Sequence, residues 1–228
     1  MHVPDGFIDA PLSVVGGVIA TVGVGVCLRG ARRELDEKTA PLAGLVAAFV
    51  FALQMLNFPV ALGTSGHLLG GTLAAVLVGP YTGALCVTVV LTVQALFFAD
   101  GGTTALGINI TTMAIVTTVV GYGIVVLLRA LLPSRPASVV PAAFVGALIS
   151  VPVSALAFVG FYALGGTTGL SLGGVLVAMV GVHVLVGIGE AVITALTVGS
   201  VVTVRPDLVY ATRSYEQPLE IRHTEQAA

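Results

Sequence analysis

A chain that opens Met1-His2 carries an α-amine, a backbone amide and an imidazole within one chelating unit. The amine and the His2 amide nitrogen would close a small ring on a metal, and that amide with His2 Nδ1 would close a second. Three nitrogens in a plane leave one further position, which an imidazole from elsewhere can fill. His67, at the end of Gly63-Thr64-Ser65-Gly66-His67, offers one. Planar nitrogen sites suit nickel(II) or copper(II), and imidazole also suits cobalt. The amine must lose a proton to bind, which is inexpensive near neutral pH from a reference pKa of about 7.7–8.0. The amide is a far weaker acid, and nickel or copper removes its proton more readily than cobalt does. The unit exists only if Met1 is the mature terminus. No Lys or Arg precedes Arg29, so the first apolar stretch lacks the basic region of a signal peptide. The large His2 is expected to protect Met1 from the usual aminopeptidase.

The elements that position these groups lie in a bilayer. The chain is 57% hydrophobic and only 9% charged, against about 25% charged in a soluble domain, and its mean hydropathy is +1.08. Its 228 residues give room for about six or seven spans of about 20 residues. Continuous apolar runs such as 175–186 argue against the alternating pattern of a β-barrel, and 29 glycines suit close helix packing in lipid. No basic stripe supports a nucleic-acid partner. Cys27 and Cys86 both fall in apolar stretches and read as packing residues; no CxxC or HExxH is present.

Seven apolar segments are predicted, at about 10–30, 41–60, 67–80, 81–99, 105–132, 139–164 and 175–204. The third is short and breaks from the fourth at Gly79-Pro80. The predicted fold is all-α: one polytopic membrane domain over residues 1–204 and a tail over 205–228. All nine Lys and Arg fall in three clusters, Arg29 to Lys38, Arg129 with Arg135, and Arg205, Arg213 and Arg222. With seven spans all three share one side, cytoplasmic by the positive-inside rule. The N-terminus is then outside and the C-terminus inside. Met1, His2, the loop carrying His67 and the Asp100-Gly101-Gly102 turn share the outer face. Val3-Pro4-Asp5-Gly6 favours a turn that could fold the terminus back among the helices.

Four separated blocks resemble one family. Met1-His2-Val3-Pro4-Asp5-Gly6-Phe7 is similar to its N-terminal signature, and 57–70, ending in Gly-Thr-Ser-Gly-His and three further residues, to its metal-loop region. The stretch 94–109, with Ala99-Asp100-Gly101-Gly102 and Gly107-Ile108-Asn109, and the stretch Gly187-Ile188-Gly189-Glu190-Ala191 resemble the next two. The family is the cobalt/nickel substrate-binding subunit of energy-coupling factor (ECF) transporters (CbiM/NikM), and the resemblance spans about residues 1–204. Val3 stands where Ile is commoner. The resemblance implies a multi-pass protein of a prokaryotic cell membrane that captures Co(II) or Ni(II) outside the cell as transported substrate, with no organic cofactor. It implies the metal ligands Met1, His2 and His67. It also implies partners: a transmembrane coupling (T) subunit, ATP-binding cassette subunits and a small accessory membrane subunit. The chain has no GxxxxGK[ST], so ATP hydrolysis is expected in the partners.

Other polar residues keep two readings each. His183 and Glu190, seven apart on one helix face, form either a gating or orienting pair or an interhelical bond that only packs the bundle. Gln54, Asn57, Gln94 and Asn109 are interhelical glue or orient the ligands, with Asn57 and Asn109 the first candidates. Asp100 draws cations or caps the Gly101-Gly102 turn, and Asp5 pairs with the terminal amine or shapes its own turn. Rival functions are a stand-alone secondary metal carrier, a vitamin-type subunit, disfavoured by the absence of Trp, and an intramembrane hydrolase using His67, His183 and Glu190.

Overall fold

A computed structural model describes residues 1–37, 39–59 and 65–215. Among these, helices occupy every apolar segment: α1 (Ala10–Glu34), α2 (Thr39–Gln54), α3 (Gly71–Val78), α4 (Pro80–Phe97), α5 (Leu106–Leu131), α6 (Val139–Gly165) and α7 (Leu172–Val204). Five of them, α1, α4, α5, α6 and α7, are long and apolar enough to cross a membrane, α6 being preceded by a short 3-10 turn at Pro136–Ser138; α2 is a shorter apolar helix. The only strands among the described residues are Phe58–Pro59 and Ser65–Gly66, antiparallel, with Phe58 opposite Gly66.

The third predicted span takes a different form. Residues 67–70 are not helical, and α3 has 8 residues, about 12 Å of helix against a hydrocarbon core of about 30 Å. All eight are buried, and 72–78 are each no more than 4% exposed. High hydropathy here reports burial inside protein, not contact with lipid. In contrast, α1 carries a largely exposed apolar flank, with Val14, Val18 and Val22 each 58–66% exposed. Asp9 starts α1, its side chain accepting from Leu12 N at 2.9 Å.

Within α5, residues Ile110–Val116 are π-helical. This widened turn follows Asn109 directly, and such turns concentrate at functional sites. α5 and α1 approach backbone to backbone: a Cβ on Gly107 would overlap Gly17. That contact brings Asn109 to the chain start.

The basic clusters meet at one end of the bundle. Arg213 donates to the Glu34 carbonyl at 3.2 Å and lies 3.4 Å from Asp36. Arg129 donates to Tyr215 Oη at 3.1 Å and to Ser214 Oγ. Residues just past α7 tuck in here, with Val209, Ala211 and Thr212 at most 1% exposed. The predicted 205–228 tail is therefore packed in part, at Val209, Ala211 and Thr212, while Arg205, Pro206, Asp207 and Ser214 are exposed; Lys38 and Arg222 lie outside the described residues.

Candidate metal centre

The first eight residues form an apolar plug at the other end. Met1 and Val3 are fully buried, and Phe7 and Ile8 nearly so. Phe7 packs against Phe158 and Tyr162 of α6, with ring centroids 5.8 and 5.4 Å apart, and the Met1 sulfur lies 3.9 Å from Ser154 Oγ. Each such side chain contributes about 1.5–3 kcal/mol of burial, enough to hold a short terminus in place. Polar contacts fix its register. Val3 N donates to Asn109 Oδ1 at 2.8 Å, Asn109 Nδ2 donates to Val3 O at 3.3 Å, and Gly102 N donates to Val3 O at 2.8 Å.

This brings together the residues singled out from the sequence. Met1 and His67 are 0% exposed and His2 4%. The His2 and His67 rings stack with centroids 4.5 Å apart and planes inclined by 28°, although 65 positions separate them. His67 Nδ1 lies 2.8 Å from Leu68 O. A carbonyl only accepts, so Nδ1 carries the proton and Nε2 keeps its lone pair. That Nε2 is buried with no partner among the described residues. His2 Nδ1 lies 3.0 Å from Asp100 Oδ1, close, but not aligned for a hydrogen bond. Asn57 Nδ2 donates to the other Asp100 oxygen at 2.8 Å. Asp100 thus faces His2 and does not cap its own turn.

Asp5 does not pair with the amine. Its carboxylate accepts from Thr104 N at 2.8 Å and Thr104 Oγ1 at 2.5 Å, shaping the loop beneath the terminus. Gly101 has φ +96°, and a Cβ there would come within 2.9 Å of His2 Cδ2. Only glycine gives both that backbone and that clearance.

His183 and Glu190 do not bond to each other. His183 Nδ1 lies 2.7 Å from Met179 O, which leaves a buried Nε2 without a partner among the described residues. Glu190 accepts from Leu69 N at 2.6 Å and Gly70 N at 3.0 Å, and Gln54 Nε2 donates to Leu69 O at 2.7 Å. The peptide that follows His67 is clamped from two helices. Glu190 is 18 residues into α7, about 27 Å along its axis, so the loop reaches deep into the bundle. Gln54 and Gln94 are both fully buried; Gln94 lies beside His2 without a well-aligned bond. Residues 60–64, with Gly63 and Thr64 of the loop motif, lie outside the described residues.

The electrostatics favour a cation. Burial pushes the terminal amine down to about 4, against a smaller opposing pull from Asp100, so it is neutral and nucleophilic at physiological pH. Burial likewise lowers His2, with the Asp100 contact opposing. Burial would raise Asp100, but His2, Asn57 and the amine together hold it below the usual carboxylate range. The site therefore offers neutral nitrogen donors beside one ionised carboxylate. No three His, Cys, Asp or Glu side chains converge as a metal cluster among the described residues; the candidate donors that do meet are the chain terminus and two imidazoles.

Comparison with known proteins follows the same line. Residues 2–208 match the family model described as the cobalt uptake substrate-specific transmembrane region. A protein of Haloquadratum walsbyi, provisionally named a metal transport protein, is 39% identical over 210 residues, 92% of this chain and 94% of its own length. The fused nickel transport protein of Rhodobacter capsulatus is 43% identical over 117 residues, 51% of this chain and 33% of its own length. A crystal structure of a transition metal transporter superposes with a TM-score of 0.82 at 32% identity, over 90% of this chain and 93% of the other.

Proposed function

The chain belongs to the cobalt-uptake substrate-specific transmembrane family, a family of multi-pass membrane transport proteins, not enzymes, and on that premise we propose that it is the substrate-binding subunit of an ATP-driven ECF-type importer for Co(II) or Ni(II). The observation that carries this reading is the convergence of the buried, neutral Met1 amine with the stacked imidazoles of His2 and His67. The ion is held by the amine, the His2 amide and Nδ1, and His67 Nε2. Capture requires His2 Nδ1 to leave Asp100 for the metal, and Asp100 then remains beside a dication as a charge partner. His67 needs no proton loss, since Nδ1 already holds the hydrogen.

Seven membrane segments place the N-terminus outside and the C-terminus in the cytoplasm, with α2 and the buried α3 completing the set. Membrane residues 1–204 form the binding domain and 205–228 the cytoplasmic tail. A T subunit and ATP-binding cassette subunits drive release inward, joined by a small accessory membrane subunit. A relative named as a fused protein supports further modules working beside this one.

Calorimetric titration with Ni(II) and Co(II) tests the ligand set on two purified forms, one beginning at Met1 and one carrying a single extra residue before it. Loss of tight binding in the extended form is expected. Equal binding by both forms removes the amine from the site and overturns the mechanism.

A further inference from the structure

The basic end of the bundle holds a second pocket that metal capture does not use. Arg29 and Arg33 stand four residues apart near the end of α1, so they share one helix face. With Tyr81 of α4 and Tyr210 of the segment after α7 they line a cavity of about 300 Å³. The walls are built. A Cβ on Gly30 would overlap the Tyr81 ring, so the ring packs on the α1 backbone between the two arginines. The Tyr210 ring is held by the Arg213 guanidinium, 5.0 Å from its centroid. The acid at this cavity, Glu34, has both oxygens engaged by Tyr81 N at 3.2 Å and Thr82 N at 2.7 Å. Among the described residues neither Arg29 nor Arg33 has a carboxylate partner. Two unpaired guanidinium groups and two phenols therefore face one space.

Guanidinium forks match phosphate oxygens in pairs. The position on α1 selects the kind of phosphate. Val18, Val22 and Val26 are 58%, 62% and 49% exposed, and their spacing continues into Arg29 and Arg33 as one ridge along the helix. An acyl chain lying on the valines brings its headgroup to the arginines, as basic pockets at the cytoplasmic membrane surface do for anionic lipids. We propose that this cavity binds the phosphate headgroup of an anionic phospholipid. Naming the cytoplasmic leaflet rests on the orientation proposed above; the binding itself does not.

The test is native mass spectrometry of the delipidated full-length protein with added phosphatidylglycerol, phosphatidylcholine or inorganic phosphate, without metal. The wild type is expected to retain phosphatidylglycerol in preference to phosphatidylcholine. Arg29→Gln with Arg33→Gln should cost that preference on the order of thirty-fold. Arg32→Gln, on the same turn but outside the cavity, should leave it intact, and the double variant should still bind Ni(II). Equal retention of the two lipids by the wild type overturns the proposal and needs no variant to be read. So does an equal loss in Arg32→Gln, which means diffuse charge, or binding of inorganic phosphate with no lipid preference, which means a soluble ligand. The lipid readout stands apart from the metal titrations, so either reading can fail alone.

Discussion

Glu190 and Glu34 are buried to 2% and 3% exposure, and each accepts two consecutive backbone N–H groups at the head of an inner helix, Glu190 before α3 and Glu34 at the start of α4. Their company differs. Glu190 sits deep in α7, and the peptide it clamps, held also by Gln54, leads straight from His67. Glu34 ends α1 among Arg29, Arg33 and Arg213, and the helix it caps carries Tyr81 toward a solvent-facing cavity. The same capping chemistry thus fixes the His67 loop at one place and an arginine-lined pocket at the other. A buried carboxylate therefore does not by itself mark a binding site; what hangs from the capped peptide decides.

The largest expected effect separates the two ends outright. His67→Ala removes a proposed ligand and should weaken Ni(II) and Co(II) binding by more than about a hundredfold in calorimetry, above the cost of losing a mere orienting partner. Tight binding by this variant would detach the loop from the metal site. Glu190→Gln comes next. It leaves one of the two amides at Leu69 and Gly70 without its acceptor, and metal affinity should fall by about ten- to a hundredfold. Glu34→Gln makes the same chemical change at the other end and should lower the melting temperature while leaving metal affinity within about twofold of the wild type. Equal affinity losses in both variants would erase the distinction.

Gly101→Ala tests the clearance around His2. A Cβ at φ +96° is strained and crowds the ring, and a destabilisation of roughly 1–2 kcal/mol is expected in denaturation of the metal-free protein, together with weaker metal binding. An unchanged protein would show that the turn moves freely away from His2. A pH series gives a subtler contrast. The terminal amine falls from 8.0 when free to about 4 when docked, so the undocked state binds the extra proton throughout that window. Docking of the terminus should strengthen as pH rises from about 4 to about 8, and His2 acts in the same direction. Hydrogen exchange at the Val3 and Gly102 amides reads this directly, and protection that falls with rising pH, after correction for intrinsic exchange, would contradict it. The smallest effect belongs to the basic end, where Arg205→Ala breaks an exposed ion pair with Asp207 and should leave stability in the same denaturation assay close to that of the wild type.

The candidate nitrogen donors were legible in the chain because their chemistry is local. Met1 and His2 are neighbours, and chelation by adjacent groups needs no tertiary argument. Asn57 and Asn109 were identifiable as candidates because amides are costly in an apolar chain unless partnered, but their partners, Asp100 and the Val3 peptide, come from 43 and 106 positions away. Asp100, Asp5 and the His183–Glu190 pair each admitted two readings, since a carboxylate or imidazole in a sequence names its chemistry and not its neighbour. Glu34 carried no signal at all: amid Arg29, Arg32 and Arg33 it looked like one more charge at a helix end. Gln54, weighed as glue or as an orienting residue but ranked behind Asn57 and Asn109, turned out to hold the peptide after His67.

Composition and hydrophobic runs alone determined that the chain is helical and belongs in a membrane, because the cost of placing backbone and charge in lipid is paid residue by residue. The positions of all seven apolar segments followed from the same local accounting. Only the tertiary structure decided that the third is a fully enclosed eight-residue helix, since burial in protein and burial in lipid select the same side chains. It also decided that the terminal amine is buried and neutral, that two imidazoles 65 positions apart stack, and that residues of the three basic clusters meet at one end of the bundle, where Arg29 and Arg33 line a pocket. Those are properties of distances between remote residues, and they exist only once the helices have packed.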